Sequence, residues 1–239
     1  MKLTLIAAPL AAAALVVGAA VPASAATASP RPSKPHVTAS SSLNDIQSTA
    51  ATVTAHQLDA LKALVAKVPS DKTLSDADRT KALAILNDDI AGITALQAAI
   101  AADTTAAQAF DDYRTVFTNY RVHAVALPQV HIAEHADRLT AATLPRLQKA
   151  QKKLADALAA HSDKNTADVQ AAMNDLGAQI STLQSDIDGL PGAALALAPS
   201  VFNADHKATS DVSAKLTAAT QAAAAAAKDI RSARAGLKR

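Results

Sequence analysis

His131-Ile132-Ala133-Glu134-His135 is the one place in this chain where residue types and spacing suggest a reaction. On an α-helix, residues four apart share a face, so His131 and His135 could turn both imidazoles toward one divalent cation such as zinc. Glu134 would stand beside them as the base that takes a proton from metal-bound water, and the chemistry would be metal-assisted hydrolysis. His123 lies eight residues before His131 and falls on roughly the same face, with Asp137 just beyond. That extends the reading to a metal or proton-sensing cluster without catalysis.

The pattern H-x-x-E-H resembles the motif of the inverted zinc peptidases, over these five residues only. The resemblance implies a third ligand from a glutamate on a downstream helix. Glu134 is the only glutamate in the sequence, and an aspartate would need the helices to sit closer. Two histidines alone make a weak site. No catalytic residue and no cofactor is therefore assigned, and His131, Glu134 and His135 are kept as the metal candidates. The plainer reading packs the histidines beside Tyr120 and Leu127 at a bundle interface.

The segment around the motif is chemically distinct from the rest. Phe110, Tyr113, Phe117 and Tyr120 are four of the five aromatics in the chain, stepped by 3, 4 and 3. That spacing makes a core stripe rather than a stacking platform. Arg114 and Arg121 are offset by Asp111 and Asp112, which speaks against nucleic acid. Two basic stretches follow: Arg146, Lys149, Lys152 and Lys153, and then Lys228, Arg231, Arg234, Lys238 and Arg239. They read either as solvated faces, the second complementing a helix C-terminus, or as contacts for anionic wall polymers or phospholipid headgroups. Tyr120, His123, His131, His135, Arg231 and Arg234 are the expected interaction surface. There is no glycine-rich phosphate loop and no cysteine nucleophile.

These residues must be carried by helices. Ser42 with Asp45, and Ser75 with Asp78, are capping signals ahead of helices over about 43–68 and 76–102. A third helical region spans about 105–160, with kinks or short breaks expected near Pro128 and Pro145. Val169, Met173, Leu176, Ile180, Leu183 and Ile187 step by 4, 3, 4, 3, 4 in a helix beginning near Thr166, the cleanest seam in the sequence. After the breakers Gly189, Pro191, Gly192 and Pro199, a last helix runs from Ser200 or Asp205 to about Gly236. Alternation over 120–127 is the only strand-like pattern.

Met1-Lys2, an apolar stretch and Pro22-Ala23-Ser24-Ala25 read as a cleaved secretory signal over 1–25. Residues 26–41, rich in Pro, Ser and Thr, read as a disordered tether, and 42–239 as one helical domain. No uncharged stretch after the signal is long enough to span a bilayer without a breaker, so no transmembrane segment is expected there. The formal charge of +2 includes Lys2, which leaves the remainder near neutral and gives no electrostatic pull toward nucleic acid. Leu, Ile, Val and Phe make up roughly a fifth of the residues, so the core must be thin and the helices close. The expected fold is an all-α, elongated antiparallel bundle of coiled-coil-like helices, its long central helix kinked near both prolines.

Phe117-Thr118-Asn119-Tyr120-Arg121-Val122, Leu127-Pro128-Gln129-Val130-His131 and Ala136-Asp137-Arg138 together resemble a segment of uncharacterised, alanine-rich secreted proteins of high-GC Gram-positive bacteria. The resemblance implies compartment and fold class, and no activity. The reading is a secreted, non-enzymatic bundle at the cell envelope or exterior, in contact with an envelope protein or an anionic wall polymer. The alternatives are a zinc-binding protein built on 131–135 and, third, a membrane-active amphipathic protein.

Overall fold

Ser42 and Ser75 start two long helices in the same way. Each hydroxyl accepts an amide three residues on, from Asp45 at 3.2 Å and Asp78 at 3.1 Å, and donates to that aspartate's carboxylate at 2.7 Å. One otherwise unpaired backbone donor is satisfied at each start. The helices are α1, Leu43–Lys67, and α2, Asp76–Ala102. The computed structural model describes residues 37–238, and all regular structure among them is helical, with no strand. The signal reading over 1–25 and most of the tether lie outside the described residues. Residues 37–41, read as part of that tether, instead form a turn closed by the Ser41 amide on the Thr38 carbonyl, and Val37 packs on the core.

The connection after α1 is a short 3-10 turn, Val68–Ser70, and α2 then runs antiparallel to α1. Gln47 near the start of α1 donates to the carbonyls of Ile100 and Asp103 at the end of α2, at 3.0 and 3.1 Å. A shorter helix α3, Ala106–Thr115, closes on both. Ile46, Ala50, Ile100, Ala109, Tyr113 and Val116 make that end of the core, so the aromatic stripe is partly core as its spacing implies.

The expected long central helix is divided. After α3 come two π-helical turns, Val116–Tyr120 and Val122–Ala126, separated by Arg121 at φ 45° in the left-handed region. Helix α4, Leu127–Arg138, follows, then a third π turn, Leu139–Thr143, and helix α5, Leu144–Ala160. Pro128 and Pro145 each sit where a π turn passes into α-helix with the backbone still helical on both sides. The residue before each proline donates five positions back, Leu127 to Val122 and Leu144 to Leu139. The Ala124 carbonyl, four residues before Pro128 and left without its N–H, accepts instead from the Thr209 hydroxyl at 3.1 Å. The sharp break is at Arg121, seven residues before the proline that was expected to cause it. The strand-like alternation over 120–127 is helical.

Helix α6, Ala167–Ile187, is capped by Thr166 and buries Val169, Leu176, Ile180, Leu183 and Ile187, as the seam requires. Short helices α7, Leu190–Leu195, and α8, Pro199–Ala204, lead to α9, Ala208–Lys238. Ala219, Ala222, Ala226 and Ala233 of α9 face the α6 leucines and isoleucines in one cluster. Small residues let the two axes approach, and each wholly buried leucine contributes about 1.5–3 kcal/mol. At the end of this antiparallel pair a methyl group on Gly236 would collide with the Val169 side chain.

Candidate functional site

Glu134 and Asp137 are three apart on α4 and therefore share a face, and both are buried. They meet the two ends of the α1–α2 connection. The Lys67 ammonium, on the last residue of α1, donates to both Glu134 oxygens at 3.2 Å. Arg138, one turn on, donates to Oε1 at 3.3 Å. Asp137 accepts the backbone N–H of Ser75, the residue that caps α2, at 2.7 Å. Between these points Asp71 accepts the amide and hydroxyl of Thr73 at 2.7 and 2.6 Å. Arg79 donates to the carbonyls of Asp71 and Leu74.

The two acids at this turn titrate in opposite directions. Burial works to raise Asp71, but the Thr73 hydroxyl and amide, with Glu134 and Lys67 nearby, outweigh it and hold its pKa down to about 2. Burial and the charge of Asp78 push Asp137 up, against the amide of Ser75. Both Glu134 oxygens are taken up by cations. This part of α4 is an acidic clamp on a loop.

The expected metal residues part company around this clamp. His131 is exposed, with Nδ1 3.6 Å from Glu134 Oε2, beyond hydrogen-bond length. His135 and His123 are exposed and make no hydrogen bond among the described residues. No group of three or more His, Asp or Glu side chains among the described residues is placed to hold a metal ion. Tyr120 is half-buried, its ring so close over Gly92 that an added methyl would meet the phenol carbons at 2.6 Å. It acts as packing there. Arg231 and Arg234 stand exposed on α9 and do not join the histidines in any bonded cluster.

A surface patch that sequence reasoning missed forms where α8 meets the π turn over 116–120. Asn203 donates to the Thr118 carbonyl at 2.7 Å and accepts from Arg121 Nε at 2.8 Å. The Arg121 guanidinium lies 5.3 Å over the Phe202 ring, and the Phe202 and His206 rings meet at a tilt with centroids 5.0 Å apart. Beside this joint stand Phe117, 39% exposed, and Val201, 45% exposed, the exposed large hydrophobics of the described residues. Phe117 also meets Tyr113 edge-on at 5.1 Å. The signal available in the sequence was Phe202, the one aromatic outside the 110–120 stripe, three residues after the breaker Pro199.

Among the described residues α2 is long and apolar enough, by length and composition alone, to cross a membrane. Counting only uncharged stretches overlooked it, because Asp88 and Asp89 interrupt its middle. Its Ala82, Leu86, Ile93 and Ile100 are buried against the rest of the bundle. Comparison with protein-family models, curated proteins and solved structures gives no match.

Proposed function

We propose that the protein is a secreted, non-enzymatic helical bundle that acts at the cell envelope or exterior through contacts with a protein or a wall polymer. The observation that carries this is the patch around Phe117 and Val201. Two large apolar side chains, a cation–aromatic pair and an amide bridge are gathered on two segments that are far apart in sequence. Apolar groups rimmed by polar ones mark contact surfaces more often than catalytic sites. The secretory start supports the address, and the exposed Arg231 and Arg234 offer a second, electrostatic contact to an anionic polymer. The zinc reading is weaker, because Lys67 and Arg138 occupy the carboxylate that would serve as base. The test is photo-crosslinking of the mature protein to intact cells, with the probe at position 118. A discrete adduct that Phe117→Ser with Val201→Ser abolishes supports the reading, and an unchanged adduct overturns it.

A further inference from the structure

A second site stands away from the clamp and the patch, where α2, the start of α4 and the α7–α8 linker line an open cleft of about 270 Å³. Ile85, Val125, Leu195, Leu197 and Pro199 give it apolar walls. Two polar groups on these walls lack partners. Asp89 makes no ion pair or hydrogen bond among the described residues, although it is only partly exposed. Gln129, on the opposite wall, is 2% exposed, and its carboxamide makes no hydrogen bond among the described residues. A carboxamide that meets only the cavity and a half-buried carboxylate without a cation both leave hydrogen-bonding capacity for a ligand. Tyr120, locked over Gly92, closes one side.

These requirements define a ligand. The carboxylate calls for a cation, the carboxamide supplies one donor and one acceptor, and the walls call for a short hydrocarbon body. The volume is roughly nine liquid-water volumes at ~30 Å³ each, enough for a few carbons and a head group. We infer that this cavity binds a small alkylammonium compound, its ammonium on Asp89, its hydrocarbon between Ile85 and Leu197, and any hydroxyl or amide on Gln129. The titratable groups lining the cavity are Asp88, Asp89 and Tyr120, and the α4, α7 and linker walls contribute none. Burial, with help from Asp88, raises the Asp89 pKa to about 6, as suits a carboxylate with no cationic side chain beside it among the described residues.

The probe is n-butylammonium chloride, with n-butanol as the neutral control at equal concentration. Nitrogen–proton NMR spectra of the full-length protein follow the Gln129 side-chain amide and the amides around Asp89. Saturable shifts with butylammonium at pH 7.5, at least tenfold weaker affinity for butanol, and loss of that preference in Asp89→Asn are expected. Gln129→Leu should weaken an amino-alcohol such as 4-aminobutanol several-fold while leaving butylammonium nearly unchanged. Binding should also fade below about pH 6 as Asp89 takes up a proton. Equal response to amine and alcohol, or a butylammonium preference that survives Asp89→Asn, would overturn the assignment.

Discussion

The Lys67 ammonium lies 3.2 Å from each carboxylate oxygen of Glu134, so the last residue of α1 is tied to the middle of α4 across 67 positions of sequence. Glu134 is buried while Lys67 is about half exposed, which places the pair between a surface bridge and a fully buried one. Glu134→Gln should cost about 1–2 kcal/mol, less than the 3–5 typical of breaking a fully buried pair. A double-mutant cycle with Lys67→Met, read by urea unfolding, should return a coupling near 1 kcal/mol. Strict additivity would mean that the tie contributes nothing.

Asp137 performs the companion task at the other end of the loop, by receiving the amide of the α2 cap residue Ser75. Its pKa is raised by burial and Asp78, so the fold does not depend on its charge. Asp137→Asn keeps an acceptor oxygen and should be nearly neutral. Asp137→Ala should cost about 1–2 kcal/mol and speed hydrogen exchange in the first turn of α2. Equal effects of the two substitutions would contradict the role of the acceptor.

Much of this was legible beforehand. The cap pairs Ser42–Asp45 and Ser75–Asp78 and the α6 seam are local signals, because each rests on residues within one or two helical turns. What was missed is non-local or a matter of backbone strain. Nothing near Glu134 announces that Lys67 will arrive there. Nothing in Tyr120-Arg121-Val122 announces a left-handed residue, since arginine is seldom found there. The chemical look of H-x-x-E-H was real at the level of one helix face. It changed meaning once the α1–α2 loop docked on that face.

The two tight glycines give a sign reversal. Gly→Ala in a helix normally gains about 1 kcal/mol. At Gly92 and Gly236 the new methyl would strike Tyr120 and Val169, and forced repacking costs about 1–3 kcal/mol. Both substitutions should therefore destabilise. In a Tyr120→Ala background, Gly92→Ala should become neutral or stabilising, as thermal unfolding of the four proteins would show.

Asp89 and Asp71 set opposing pH dependences. Asp89 has a folded pKa of about 6 against 3.8 in the unfolded chain, so the folded state binds more protons between those values. Its contribution to stability falls as pH rises through that window. Asp89→Asn should flatten the profile there and, after discounting for partial exposure, stabilise by about 1 kcal/mol at pH 7.5. Asp71, held down to about 2, contributes stability that is present above pH 3.8 and is lost as pH falls toward 2. Asp71→Asn should remove that acid-side loss, as acid titration followed by circular dichroism would record.

The central claim is that the one reactive-looking motif serves the scaffold, with Glu134 holding the α1–α2 loop instead of activating a metal-bound water. Hydrogen exchange over residues 68–78, measured on wild type and Glu134→Gln with and without equimolar zinc, tests it most directly. Exchange should be faster in Glu134→Gln, with no effect of zinc on either protein. Stoichiometric protection of the wild type by zinc, abolished by His131→Ala, would contradict it.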